Sequence, residues 1–406
     1  MLSQKTMEIV KASVPALADR GLDVTLRMYH LMFTKNPETL SLFNRTNQTP
    51  QGQPLALARS IHAYAANIDN LEALASAVDL IANKHASLGV KPEHYGIVGL
   101  HLIQALRDVL DIDEEQASAW SEAYEFLAEI LVKAERRLYM QAETQDGGWS
   151  DCRAFVLDKK VKESDVITSF YLKPKDGGKI AAFKPGQYIT LKFDFPGGKV
   201  VTRNYSLSDS PNGEYYRISI KKEQRPVGGV DLPDGLVSCY LHDHCQPGME
   251  LQLRAAVGNF VLDPDTHRPV VLLSGGVGLT PMVSMLKTIS QHYPKLETWF
   301  IHGALNRRTH AMRDQVKNLA ASNPNIHVYI CYSEPDDRDM REKNCDQTGL
   351  ITAEWLEQIL PHLDCDYYFC GPRAFMQSIY RTLKTWRVRP AQIRYEFFGP
   401  AGDLTA

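Results

Sequence analysis

Several things are scarce in this 406-residue chain, and each shortage excludes something. No apolar run approaches the roughly 20 residues that a membrane-spanning helix requires. The opening stretch, MLSQKTMEIVKASVPALADRG, mixes charges with its apolar residues and reads as an amphipathic helix rather than a signal peptide. Excess charge of one sign is missing: 45 Lys and Arg face 48 Asp and Glu, a formal net charge of −3. Neither nucleic acid nor a membrane surface is therefore an expected partner. The seven cysteines, at 152, 239, 245, 331, 345, 365 and 370, form no CxxC pair. Without a secretory signal they read as free thiols in a reducing compartment, which predicts a cytoplasmic protein. No internal repeat and no low-complexity segment is found. What remains is 44% hydrophobic and 23% charged, ordinary for a globular chain long enough for two or three domains.

What is present changes character near residue 147. Up to about 145, strand signals are few and apolar residues recur at helical spacing: Ile9, Val10, Val14, Leu17; then Leu26, Tyr29, Phe33; then Leu55, Leu57, Ile61, Tyr64; and the run from Trp120 to Tyr139. Breaks at Gly21, Asn36-Pro37, 49–54, 89–92 and 111–113 divide this into about six to eight helices. Asp146-Gly147-Gly148 reads as a linker. Beyond it the period becomes two, with Tyr188–Phe193 and Tyr215–Lys221 as strands and turns at 175–178, 196–198 and 211–213, which predicts an antiparallel barrel. From Arg268 buried-strand runs (Pro269–Leu273, Thr298–His302, His327–Cys331, Tyr367–Cys370) alternate with helical stretches, which predicts a parallel α/β sheet. The expected domains are 1–147, 148–264 and 265–406.

One segment, IANKHASLGVKPEHY (81–95), raises a question that its own residues leave open. His85 falls on a partly apolar helical face, where a histidine is more often a packed core residue than a metal ligand. Three motifs of the second half supply context. PGQY (185–188) is followed by RNYS (203–206), which offers a phosphate-matching guanidinium, a flat aromatic and a hydroxyl within four residues. SGGVGLTP (274–281) follows a strand and precedes a helix, with Thr280 as the expected N-cap and Pro281 in the first turn. A helix start of that kind attracts a pyrophosphate, although it also fits a plain tight turn and is not GxGxxG. YFCGP (368–372) and YEFFGP (395–400) complete the set.

In order and spacing these motifs resemble the flavin reductases of the ferredoxin-reductase superfamily, across about 151–400. The resemblance implies FAD contacts by Arg203, Asn204, Tyr205 and Ser206, further FAD phosphate contacts at Gly235, Val237 and Ser238, and Tyr188 along one side of the flavin. It places the NAD(P)H pyrophosphate on Gly275, Gly276, Val277, Gly278, Leu279 and Thr280, with Cys370, Gly371 and Pro372 near the nicotinamide. Either NADH or NADPH is admitted. Arg307 or Arg308 in HGALNRRTH (302–310) could meet a 2′-phosphate, and no acidic residue of that loop claims a 2′-hydroxyl.

The helical part is similar to globins at Tyr29, Phe43, Gln53, Leu57 and His85, and the GGW junction at 147–149 extends the likeness. End to end, the chain resembles the flavohaemoglobins, the nitric oxide dioxygenases of bacteria and fungi. That resemblance implies haem b held through iron by His85, with Tyr95 and Glu135 orienting the imidazole and Phe43 packing on the haem. Tyr29, Gln53 and Leu57 would form the distal side. Lys84 and Glu396 match a pair between haem and flavin, and Phe398, within Phe397, Phe398, Gly399 and Pro400, matches the aromatic over the flavin. His101 stands where many relatives have glutamate, and 225–234 carries extra residues. The implied activity oxidises NO with O2 to nitrate at the expense of NAD(P)H, in a monomer with no obligatory protein partner. A flavin reductase with a haem-free helical module, or an oxygen or NO sensor, would share many of these features.

Overall fold

The structure, a computed structural model, describes residues 2–43, 52–195, 199–224, 235–263, 265–399 and 404. The chain falls into two compact units, whose main division lies between Thr144 and Gln145. The described residues of the first unit contain six α-helices: α1 (Gln4–Ala12), α2 (Val14–Lys35), α3 (Gln53–Ala66), α4 (Ala75–Leu88), α5 (Pro92–Leu110) and α6 (Glu114–Thr144). Their apolar stripes meet in one core that includes Met28 and Met32 of α2, Ile61 and Tyr64 of α3, Leu102 and Leu106 of α5 and Trp120 of α6. Each large side chain removed from water there contributes about 1.5–3 kcal/mol.

The turn between α4 and α5 decides where His85 points. Gly89 ends α4 with φ 75°, a left-handed conformation that costs glycine little. The amide of Val90 then closes back on the carbonyl of His85 at 3.0 Å. Pro92, with no amide proton to lose, opens α5. The last turn of α4 and the first turn of α5 are thereby folded onto each other, and they carry His85 and Tyr95.

The second unit opens with an antiparallel sheet. Its strands are β1 (Arg153–Lys162), β2 (Ile167–Pro174), β3 (Tyr188–Phe195), β4 (Lys199–Ser206), β5 (Tyr216–Lys221) and β6 (Glu250–Val257), with α7 (Leu236–Asp243) before the last. The order is β4-β3-β6-β1-β2-β5. Just past β4, Leu207 bridges Ile218 of β5, so the two edge strands meet and the sheet curls closed. Alternation is clearest in β6, whose residues are buried at every second position from Leu251.

The α/β part follows: β7 (Val270–Gly275), α8 (Leu279–His292), β8 (Thr298–Ala304), α9 (Arg313–Ser322), β9 (Ile326–Tyr332), α10 (Asp337–Glu342), β10 (Gln347–Thr348), α11 (Ala353–Ile359), β11 (Asp366–Cys370), α12 (Arg373–Thr385) and β12 (Ile393–Tyr395). All pairings are parallel, in the order β10-β9-β8-β7-β11-β12. β7 is buried along its whole length, as a central strand covered on both faces must be. It is also the switch point: β8 lies on one side of it and β11 on the other, which opens a crevice beyond its carboxyl end. Thr280 is not the N-cap of α8, contrary to expectation. The helix begins at Leu279 after a short 3₁₀ turn of Gly276–Gly278, and the Thr280 hydroxyl donates back to the carbonyl of Val277 at 3.1 Å instead of capping. A glycine-rich turn that winds directly into the helix leaves no extended N-cap position for threonine.

Candidate functional site

In the helical unit, His85, Tyr95 and Glu135 converge. His85 Nδ1 lies 2.8 Å from the Tyr95 hydroxyl and 2.8 Å from Glu135 Oε1, and the Tyr95 hydroxyl donates to the same carboxylate oxygen. Burial, and next the hydrogen bond to Glu135, push the Tyr95 phenol far above its ordinary value, so it stays protonated. With its one proton given to Glu135, the tyrosine oxygen can only accept from His85, and a carboxylate only accepts. Both contacts therefore place the imidazole proton on Nδ1 and the free lone pair on Nε2, the tautomer a metal ligand needs. Glu135 is 2% exposed and His85 32% in its side chain, so the carboxylate is buried behind the ring while the ring keeps an open edge. Tyr124 fixes Tyr95 from behind by donating to its carbonyl at 2.8 Å, and Tyr139 donates to the carbonyl of Val90 at 2.7 Å. Neither tyrosine carried a signal in the sequence, because their partners are backbone atoms of another helix or turn.

The aromatics expected on the other side also come together. The Tyr29 ring stacks on Phe33 at 5.5 Å and meets Phe43 edge-on at 5.6 Å. Burial raises the Tyr29 phenol well above its usual range, and a hydrogen bond with the Gln53 side chain partly opposes this. Leu57 packs against the same cluster. Gln53 sits at the first position of α3, so its amide reaches Tyr29 from a helix start. His101, buried on α5, binds Asn36 Oδ1 through Nε2 at 2.9 Å and thus holds the end of α2. Lys84 lies half-buried on α4. The donor set suits a haem: one imidazole with a free Nε2 and a buried carboxylate behind it, and a protonated phenol set among aromatic rings.

In the second unit, RNYS ends β4. Arg203 is half-buried, and loss of water lowers its pKa, which favours an anionic neighbour. Burial raises the Tyr205 phenol. Asn204 accepts from the buried Thr190 hydroxyl at 2.8 Å, Ser206 is buried, and Tyr188 is buried at the head of β3. Gly235 precedes α7, Val237 is buried, and Ser238 turns its hydroxyl back to the Gly235 carbonyl at 3.1 Å. The glycine loop Gly275–Gly278 lies at the switch point. A Cβ on Gly278 would stand 2.2 Å from the Cys370 carbonyl oxygen, whereas one on Gly276 would meet nothing within 4 Å. The loop is thus pressed against the end of β11 on one side and open on the other, and no side chain caps the α8 N-terminus. This cradle fits a pyrophosphate. Leu279 and Thr280 are buried in the first turn of α8, while Val277 is half-buried.

Cys370 is buried at the end of β11, Gly371 follows it, and exposed Pro372 is the N-cap of α12. Glu396 is 8% exposed just past β12. Phe397 packs into the α/β core and meets Tyr395 edge-on, whereas Phe398 is 50% exposed beside Gly399. Pro400 and the stretch 225–234 lie outside the described residues. The arginine loop differs from expectation. Arg307 pairs with Asp339 at 3.4 Å and Asp336 at 3.6 Å, and Arg308 with Asp165 at 2.9 Å. Acids do reach that loop, from the N-cap and first turn of α10 and from the β1–β2 turn, which short-range sequence reading could not see. Sequence reasoning also missed a buried ion cluster of Asp209, Arg217 and Lys287.

Residues 26–131 match the globin family model, 154–262 the oxidoreductase FAD-binding domain, and 272–381 the oxidoreductase NAD-binding domain. A Bacillus cereus protein named Flavohemoprotein is 50% identical over 405 residues, covering 100% of both chains. The crystal structure of a flavohemoglobin from Malassezia yamatoensis, with bound FAD and heme, aligns with TM-score 0.82 at 25% identity, covering 98% of this chain and 100% of that one. The FAD/NAD-binding domain of a nitric oxide dioxygenase from Vibrio cholerae aligns with TM-score 0.55 at 36% identity, over 61% of this chain and 99% of its own.

Proposed function

This chain belongs to the flavohaemoproteins, and from that premise we propose that it is a nitric oxide dioxygenase, turning NO and O2 into nitrate with electrons drawn from NAD(P)H. The overall balance is two NO, two O2 and one NAD(P)H giving two nitrate, NAD(P)⁺ and one proton. When bound, the cofactors supply the redox chemistry: hydride from the nicotinamide, its division into single electrons at FAD, and dioxygen activation at haem b. The protein's residues do the rest. His85 presents the Nε2 lone pair, and Glu135 and Tyr95 hold the ring and increase its electron donation, which favours O–O activation over storage. Tyr29, held by Gln53, would present its hydroxyl proton to dioxygen in the pocket, and Phe33, Phe43 and Leu57, packed around it, would limit the access of water. Arg203 and the α7 start (Gly235, Val237, Ser238) neutralise and hold the FAD phosphates, Tyr188, Tyr205, Ser206 and Phe398 bound its ring, and Asn204 keeps β4 in register. The Gly275–Thr280 cradle holds the dinucleotide, with Cys370–Pro372 beside the nicotinamide. Lys84 and Glu396 are proposed as charged groups on the electron path.

We assign domains to 1–147, 148–264 and 265–406, and read the protein as a cytoplasmic monomer with no obligatory protein partner. Among the described residues no helix is long and apolar enough to cross a membrane. The observation that carries the proposal is the His85–Tyr95–Glu135 triad, because its hydrogen bonds fix the tautomer that a metal ligand needs. The test is the absorption spectrum of purified protein and of His85→Ala. The wild type is expected to show a Soret band together with flavin bands. The variant is expected to lose the Soret band while NADH still drives reduction of an artificial dye. Flavin without a Soret band after haem supplementation of the wild type would favour a haem-free reductase. Haem and flavin without NADH-dependent NO consumption would favour a sensor.

A further inference from the structure

The ion cluster that the sequence hid joins two halves of one reaction. Asp209 lies three residues beyond Ser206, in the turn that follows the strand carrying RNYS, and is 3% exposed. Its Oδ1 pairs with Lys287 Nζ, and its main-chain carbonyl accepts from the Ser284 hydroxyl at 2.7 Å. Both partners are on α8, whose first turn is the dinucleotide cradle. Its Oδ2 accepts from Tyr215 at 3.1 Å and lies 3.4 Å from Arg217 Nη1. Arg217, equally buried on β5, continues to Gln315 of α9 at 3.2 Å. One carboxylate thus ties the flavin strand, the nicotinamide helix and the neighbouring strand at a single buried point. Two cations face one anion there, so removing the anion leaves like charges in a dry site.

We infer that Asp209 is a positioning residue for hydride transfer: it fastens the end of β4 to α8 and so sets the spacing between flavin and nicotinamide. The inference rests on the reading that NADH reduces a flavin bound to this chain. The hydride leaves the nicotinamide ring with its electron pair and joins the flavin, a step sensitive to displacements of an ångström, which can cost on the order of 100-fold. Neither Asp209 nor Lys287 need touch a cofactor to exert this control.

The test uses full-length holoenzyme and the Asp209→Asn variant, which preserves shape and removes the charge. Anaerobic stopped-flow mixing with NADH is expected to show flavin reduction slowed about 10- to 100-fold. FAD content, chemical reducibility by dithionite and NAD⁺ affinity should stay near wild type, so that the limiting rate falls and half-saturation does not. Asp209→Glu should recover part of the rate. Without any nucleotide, hydrogen exchange should rise jointly in 206–210, in α8 around Ser284 and Lys287 and at the start of β5, and remain unchanged in the helical unit. Wild-type reduction rates in Asp209→Asn, or loss of FAD as its sole defect, would overturn the inference. If Asp209→Asn does not fold, Lys287→Met and Ser284→Ala decide: slowed reduction in both with unchanged NAD⁺ affinity supports it, and normal rates in both overturn it. A wild type whose flavin NADH cannot reduce would instead sink the functional reading.

Discussion

Replacing Glu135 by Gln tests whether the buried carboxylate does more than fill space. Its Oε1 receives Nδ1 of His85 at 2.8 Å and the Tyr95 hydroxyl. Hydrogen bonds to a charged partner contribute about 1.5–3 kcal/mol and neutral ones about 0.5–1.5, so neutralising the acceptor of two such bonds should cost about 2 kcal/mol. Glutamine keeps the volume, so no cavity adds to this. The imidazole then loses anionic character. Partners of this kind, when altered, typically cost 10- to 100-fold in metal affinity or activity. The assay is NADH-driven NO consumption at an electrode, with resonance Raman of the ferrous protein and haem content by pyridine haemochrome. Expected are a retained but more weakly held haem, a lower iron–histidine stretching frequency and turnover reduced about 10- to 100-fold. An unchanged frequency with unchanged turnover would refute the claim that Glu135 tunes His85.

Three further outcomes follow from the geometry. Burial pushes the His302 imidazole down to about 4 from 6.5, so the folded protein binds fewer protons than the unfolded chain between those values. Stability present above about pH 6.5 should fall toward pH 4 by about 3 kcal/mol from this group, and urea titrations at stepped pH should show a shallower slope in His302→Gln. Because Arg307 and Arg308 are already engaged by Asp336, Asp339 and Asp165, a 2′-phosphate must break existing pairs. NADH should therefore exceed NADPH in kcat/KM by about tenfold or more, a difference of about 1.4 kcal/mol, and equal values would contradict that. Gly278→Ala would put a Cβ at 2.2 Å from the Cys370 carbonyl, so flavin reduction by NADH should be lost while the Soret band of the helical unit persists.

Much of this architecture could be read from the chain because its signals are local. The period-two segments became β3 and β5, the apolar run at 270–273 became the buried central strand β7, and Gly89 with Pro92 marked the turn that sets His85. What escaped was long-range. The pairing of Arg307 with Asp339 joins the loop after β8 to α10, and the cap of α8 shifted because three glycine-loop residues wind straight into helix. The Asp209 cluster gathers residues from β5, α8 and the turn beyond β4, none of which looks unusual in its own segment. Tyr124 and Tyr139 act on backbone carbonyls, a role that side-chain identity does not announce.

The central claim is that one polypeptide, using its own bound groups, oxidises NO at the expense of a nicotinamide. The most direct measurement adds NO to purified, haem- and FAD-replete protein with limiting NADH and excess O2, and counts NADH oxidised and nitrate formed. The account predicts two nitrate per NADH, dependence on O2, and no nitrate from His85→Ala. NADH oxidation without nitrate, or nitrate formed equally well by His85→Ala, would contradict it.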